Sequence, residues 1–446
     1  MPAEPSVKCP SGAGTRHVSR TVARGQAITA AQQHRTPEAG SKRAVHGPLA
    51  RVTAPRGRPG TATALLAVTF GVILLVAACS KPSPEVNSAL PPSPAAPAAP
   101  AAPSSPPASS PAAPATPSPP PPPAYCGRGG AELWAHLANC GWPGPKNTGP
   151  DVSQCPGGQL TANGGSVTRT IQITTPNTVI SCEDIQGMLD IQAQNVTVRN
   201  SLIESNSGMT GEDANGTAAI KVEDGASAII DHVKINGDDG VHACIWHQGT
   251  SLVVNAVNCY GVDDGVFSWA DTSFSPTTGD HFVIKNSYFH GFTTATANGH
   301  EDGYQTEGAS FGLIRHNTYR MTTNADSAIA IWDSLKSSHD IRVSHNLITG
   351  GGFSIYAEDY NPGDGGPGNP PAVGGFSDTN ITFTRNVFST YAAGCVGQFG
   401  VWFDRPSWGP YDGGPTDGWR RTGNEVLETR QNVDNGNPSG GGLSCG

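Results

Sequence analysis

Val343-Ser344-His345-Asn346-Leu347-Ile348 is one copy of a phrase that recurs along the chain: an aliphatic start, a polar couple rich in Asn, then an apolar pair. It reads Val198-Arg199-Asn200-Ser201-Leu202-Ile203 and Ile284-Lys285-Asn286-Ser287-Tyr288-Phe289. It returns as Ile314-Arg315-His316-Asn317-Thr318-Tyr319 and Phe383-Thr384-Arg385-Asn386-Val387-Phe388, with looser copies at Ile230 and Val254. The anchors Val198, Ile230, Val254, Ile284, Ile314, Val343 and Phe383 are 32, 24, 30, 30, 29 and 40 residues apart. A short-strand unit at this period cannot bury its own apolar face and must stack on the next copy, so the repeat specifies a solenoid. Runs of four to six β-branched and aromatic residues, punctuated by Gly, Asn, Asp and Ser, fit three short strands per coil. The recurring Asn suits a left-handed turn residue whose amide reaches the Asn of the next coil.

Outside the repeat the composition changes twice. Residues 1–124 carry 11 Lys+Arg and 3 Asp+Glu, net +8, whereas residues 125–446 carry 16 and 33, net −17. The acidity of the second part argues against a nucleic-acid partner, which needs a basic face. Residues 1–60 are a polar N-terminal extension, expected to be disordered or upstream of the true translation start. Within 61–79, the apolar run Ala64–Ala78 follows Arg51, Arg56 and Arg58 and ends in Ala77-Ala78-Cys79. This is a secretory pattern too short for a bilayer span. Its small-small-Cys ending resembles the bacterial lipoprotein lipobox, which implies lipidation of Cys79 and anchoring to the outer face of the cytoplasmic membrane or cell surface. Residues 80–124 are almost wholly Pro, Ala and Ser, an extended linker. Residues 125–170 read as an N-terminal cap, with a short helix around Glu132–Ala138 covering the open end of a coil domain at 171–446. Eight further cysteines favour local disulfides: 126–140, 155–182, 244–259 and 395–445. A monomer is expected.

Over roughly Gln172 to Asn432 the chain resembles the right-handed parallel β-helix proteins of the pectate-lyase-like superfamily, which implies an all-β solenoid. Gly141-Trp142-Pro143-Gly144-Pro145-Lys146-Asn147-Thr148-Gly149-Pro150 also looks like the entry segment of exported actinobacterial β-helix proteins. The fold does not fix the chemistry, because lyases, hydrolases, epimerases and adhesive surfaces share it.

A second phrase runs out of step with the first: Asp238-Asp239-Gly240-Val241, Asp263-Asp264-Gly265-Val266, Glu301-Asp302-Gly303-Tyr304 and Asp326-Ser327-Ala328. Stacked at ~4.8 Å, Asp239, Asp264, Asp302 and Asp326 would form one acidic ladder, with Asp238, Asp263 and Glu301 beside it. A single Asp-Gly pair is ordinary turn chemistry; doubled acidic pairs on consecutive coils point to a raised pKa, a bound cation or a substrate. The following strands carry Trp246, Trp269, Gln305, Glu307 and Trp332, residue types that stack on sugar rings and grip hydroxyls. His300-Glu301-Asp302-Gly303-Tyr304-Gln305 resembles the His-x-Asp-Gly-x-Gln element of exported β-helix proteins associated with polysaccharides. The sequence lacks a full polygalacturonase set and a pectate-lyase Arg motif, so no mechanism transfers. The expected function is a carbohydrate-active surface enzyme, with two chemistries open: β-elimination by a polysaccharide lyase first, hydrolysis second. A uronate lyase would use His300 or Lys336 as base, Tyr304 as acid and Ca²⁺ on Asp239, Asp264 and Asp302 as charge neutraliser. A hydrolase would pair Asp264 or Asp239 with Asp302. A non-catalytic glycan-binding rod is the third reading. The Asn361–Pro371 insertion explains the 40-residue interval and is expected either to wall a groove or to be an inert loop.

Overall fold

The computed structural model describes residues 121–209, 214, 216–270, 275–293, 299–333, 335–358, 378–392, 394–405 and 419–436. The signal segment with Cys79, nearly all of the linker, the Asn361–Pro371 insertion and Cys445 lie outside these residues. No described helix is long and apolar enough to cross a membrane.

Strands stack in parallel, coil upon coil, so the chain is an all-β parallel β-helix. One face is a nine-stranded sheet in strict chain order: Thr170–Ile173, Met188–Ile191, Ala218–Val222, Ala243–His247, Asp264–Ser268, Tyr304–Thr306, Ile329–Trp332, Phe353–Glu358 and Gly400–Arg405. The other strands form two further stacks, joined through the long strands Val196–Glu204 and Ser227–Asn236. The anchors Val198, Ile230, Val254, Ile284, Ile314, Val343 and Phe383 are register partners in succession, and each is fully buried. On the nine-stranded face the inward column is Leu189, Ile220, Ile245, Val266, Tyr304, Ile329, Ile355 and Trp402. Each such side chain contributes about 1.5–3 kcal/mol on burial, so the core grows by addition of coils.

The polar couple divides its labour, which refines the expectation for the Asn. Its first residue holds the left-handed turn: φ is +47° at Asn200, +53° at Asn286, +55° at His316, +56° at His345 and +54° at Arg385. Its second residue is the ladder. Asn317 Nδ2 donates to Asn346 Oδ1 at 3.1 Å, Asn346 to Asn386 at 2.9 Å and Asn386 to Asn424 at 3.0 Å. Each acceptor oxygen also takes the backbone N–H of the coil before it. Asn424 closes the series on Asp434. Ser287 holds the same position one coil earlier, and its N–H donates to Asn317.

The short helix is present at Gly130–Ala135, but the surface it covers is the flank of the coil and not its end. Leu133, Trp134 and Leu137 pack on Tyr288, Leu347 and Leu427, and Trp134 Nε1 donates to Ser389. From there the segment runs back along the solenoid. Gly141 meets His316, Gly149 N–H donates to Ala256 O at 2.8 Å, and Cys155 is bonded to Cys182. The physical reason is the outward apolar stripe Tyr288, Leu347 and Leu427 on the coil's flank, which this short amphipathic helix buries. Disulfides 126–140, 155–182 and 244–259 all form, the last tying strands Ala243–His247 and Asn258–Tyr260 of one coil and not two neighbouring coils. Cys395 is also disulfide-bonded.

Candidate functional site

The outward column of the nine-stranded face reads Lys221, Trp246, Phe267, Gln305, Ala330, Tyr356 and Phe403 in register. Aromatic rings therefore flank a two-coil gap at Gln305 and Ala330. On one side Trp246, Phe267 and Trp269 form a cluster with centroids 4.5–5.6 Å apart. On the other, Tyr356 stacks on Phe403 at 4.1 Å and Trp332 meets Tyr356 edge-on at 5.8 Å. Phe267 and Tyr356 are three coils apart, ~14 Å at the sheet spacing. Within and beside the gap, the Gln305 Oε1, Trp246 Nε1 and Trp332 Nε1 atoms are buried without a hydrogen-bond partner. Gln305 Nε2 points to Glu307 Oε1 at 3.4 Å. Unsatisfied polar atoms beside ring faces are what a site for a hydroxyl-rich ligand requires.

The acidic phrase lies at the corner leading into these strands, with one register change. Register carries Ala243 to Asp264 and Val266 to Tyr304. Two residues before that Val266–Tyr304 step, Asp302 stands over Asp264, and its N–H donates to Asp264 Oδ1 at 3.0 Å. The next position in the column is Ser327, whose hydroxyl donates to Asp302 Oδ1. Asp326 is thus offset by one residue and keeps solvent access, while Asp264 and Asp302 are fully buried. Asp239 is not brought to the pair: it sits on the exposed corner before Ala243, left-handed at φ +53°, and accepts from Thr293 at 2.6 Å. The corner glycines are forced. A Cβ on Gly265 or Gly303 would strike backbone and the core rings Phe289 and Tyr319 at under 3 Å.

Electrostatics follow from this crowding. Burial first, and then the charges of Asp264 and Asp326, push the Asp302 carboxyl well above the carboxylate range. Asp326 is also raised: partial enclosure is the largest cause, and Asp264 and Glu301 add to it against the pull of His300. His242 Nε2 lies 2.9 Å from Asp264 Oδ2. Burial pulls its imidazole down, but the bond to Asp264 and the charges of Asp264 and Asp263 outweigh that and leave it raised.

Other expected site residues have different places. Tyr304 faces inward, fully buried and stacked on Phe282 at 5.0 Å, so it is a core residue and cannot deliver a proton to the groove. Lys336 Nζ is bound to Asp280 Oδ1 at 2.8 Å and to Pro276 O, a corner clamp. His300 does reach the gap: half-buried, edge-on to Trp332 at 5.0 Å, its carbonyl accepting from Asp326 N. The calcium set does not fit. Asp239 is apart, one Asp264 oxygen holds the Asp302 N–H and the other faces His242, and Asp302 is biased toward its protonated form. Among the described residues no group of three or more His, Cys, Asp or Glu is arranged to hold a metal ion. Sequence reasoning placed Asp326 in the acidic ladder without giving it a role, and did not assign His242, Phe267 or Phe403 to the site. The signal for His242 was present, since it directly precedes the strand Ala243–His247 that carries Trp246, but its pairing with Asp264 depends on the coil register.

No family model matches this chain, and no curated protein matches it in sequence. Among solved structures the Dettilon tailspike protein gp208 is similar with a TM-score of 0.30 and 10% identity, over 59% of this chain and 58% of that one. The chain thus spans less than two thirds of the tailspike chain. The fold assignment rests on the strand register itself.

Proposed function

We propose that this protein cleaves a glycan laid along the outward column, by hydrolysis, with Asp326 as the proton donor and the Asp264–Asp302 pair beneath it. The observation that supports this reading is the cluster of three carboxyls, two with raised pKa, at the corner leading into the strands that carry the two aromatic clusters, with His300 linking Asp326 to Trp332. In the proposed pose the rings bind sugar faces on either side of the bond and turn that bond toward the corner carboxyls. A glycosidic oxygen needs a protonated donor as it leaves, and a carboxyl raised by enclosure and by like charges is such a donor. Asp302, buried behind it, keeps a proton within the cluster and withholds a second negative charge. Water activation falls to the Asp264–His242 side.

A neutral glycan suits this groove better than a uronate. Lys221 is paired with Glu223 and Lys336 with Asp280, so neither is free to neutralise a sugar carboxylate. β-Elimination is the competing reading, and it would use His300 as base beside Asp326. Export and anchoring through Cys79 are part of the same proposal and place the groove at the cell surface.

The test is a panel of neutral and uronate polysaccharides incubated with the protein and with Asp326→Asn. Reducing ends without new ultraviolet absorbance support hydrolysis. Absorbance from an unsaturated uronate replaces it with elimination. Binding without either product, unchanged in Asp326→Asn, leaves a glycan-binding rod.

A further inference from the structure

A different face of the coil carries the opposite charge. In the stack formed by Phe282–Lys285, Gly312–Arg315, Ile341–Ser344, Ile381–Thr384 and Trp419–Thr422, the residues that alternate outward or sit at the following corner include Lys285, Arg315, Arg342, Arg385 and Arg420. Lys285 and Arg315 are register partners, and Arg342 and Arg420 both align with Thr382. Arg315, Arg342, Arg385 and Arg420 are exposed. His316 and His345 lie in the same corner column as Arg385. This cationic ridge spans five coils, ~20 Å, in a domain whose sequence is strongly acidic.

The carboxylates nearby are already engaged. Asp340 is held by His339 at 2.9 Å and by Asn380, and Asp434 by Asn424, Asn432 and the Gly423 N–H. Among the described residues Lys285, Arg315, Arg342 and Arg385 make no ion pair with a carboxylate. Crowding of charge shows at His345: burial first, then Arg315, Arg385 and Arg342, hold its imidazole below the ordinary value. Neighbouring coils are closer than a Debye length, so the cations act on a ligand together. The strand positions between them, Val283, Leu313, Thr382 and Thr384, carry no ring, and the rings beside the ridge are engaged with one another, His316 on Trp142 and Phe311 on His281 and His339.

We infer that this ridge binds a linear anionic glycan, uronate- or phosphate-bearing, extended parallel to the coil axis. The ridge belongs to a different stack from the acidic groove, and the inference does not depend on the groove's chemistry. It gives the molecule two glycan faces of opposite preference: one holds an anionic surface polymer while the other works on a neutral strand.

The test uses the full chain with fluorescent polygalacturonate, long-chain polyphosphate, dextran and single-stranded DNA at 50 and 200 mM NaCl. Binding of polygalacturonate or polyphosphate is expected at low salt, weakening by on the order of tenfold or more at 200 mM as counterion release is suppressed. The polymer bound more tightly identifies the source, carboxylate or phosphate. Arg315→Ala/Arg342→Ala/Arg385→Ala is expected to lose at least about tenfold in affinity and to flatten the salt dependence. Since these side chains have no carboxylate partner among the described residues, the variant should keep its Tm, and the Arg→Lys triple should retain binding. Unchanged affinity in the alanine triple, equal binding of dextran, tighter binding of DNA, or no binding of either polyanion at 50 mM would each overturn the inference. Polysaccharide cleavage is assayed separately, so failure of the ridge and failure of the groove remain distinguishable.

Discussion

Two polar stacks run up this coil, and they have opposite characters. The Asn317–Asn346–Asn386–Asn424 stack is buried, and each amide donates to the next and accepts from the one before. The Asp264–Asp302 stack is equally buried, yet Asp302 Oδ2 has no partner and the carboxyl is pushed toward its neutral form. The difference is chemical. An amide carries both donor and acceptor, so identical amides satisfy one another at the coil spacing. An ionised carboxylate only accepts, so identical carboxylates must recruit a proton, a histidine or a hydroxyl. His242 and Ser327 fill those roles here. A repeated amide thus stabilises the coil, whereas a repeated carboxyl stores unsatisfied chemistry available to a ligand.

The sharpest way to break this contrast is Asp326→Asn. If the acidic stack is the working one, turnover should fall by about 10²–10⁴ with the Tm nearly unchanged. Full activity in the variant would remove Asp326 from the chemistry. Next in size is Asn346→Leu, which strands the Asn317 N–H and the Ile314 carbonyl in the core. At ~1–3 kcal/mol for each unsatisfied group, a loss of roughly 3 kcal/mol or more is expected, read from the urea midpoint. A neutral result would mean that the amide stack is incidental.

Asn286→Ala tests the turn residue beside the ladder. It should cost about 1–2 kcal/mol for the left-handed backbone, and Asn286→Gly should recover most of that in the same urea series. The finest test is the pH dependence of stability. The folded-state pKa of Asp302 lies above the ordinary 3.8, so the folded protein holds a proton that the unfolded chain releases. This contribution is most favourable below that ordinary value and is lost as pH rises toward the folded pKa. Asp302→Asn cannot titrate, so its Tm should decline less between pH 4 and pH 7 than that of the parent. Identical pH profiles would show that Asp302 ionises normally.

Much of the coil was legible because its period is a local property. Apolar anchors from Val198 to Phe383 recur near 30 residues, and they are the inward register column of the fold. The local disulfides were legible for the same reason, since short loops favour near partners. The helix at Gly130–Ala135 was readable, but its seat was not: the apolar stripe it covers is assembled from Tyr288, Leu347 and Leu427, far apart in sequence. Within the site, Trp246, Trp269, Gln305, Glu307, Trp332, His300, Asp264 and Asp302 all belong to the nine-stranded face or its corners. Tyr304 failed as a groove residue because its register partners are the inward residues Val266 and Ile329, so its ring belongs to the core.

The sequence by itself determined that this chain stacks short strands and that polar residues repeat at the corners, because period and residue chemistry are properties of the chain alone. Only the tertiary structure decided which repeated residues meet. A one-residue offset puts Ser327 over Asp302 and leaves Asp326 in solvent, and a corner sends Asp239 away from the pair. Such offsets depend on how each coil closes on the one before, and that closure is set by packing across about 30 residues of intervening chain.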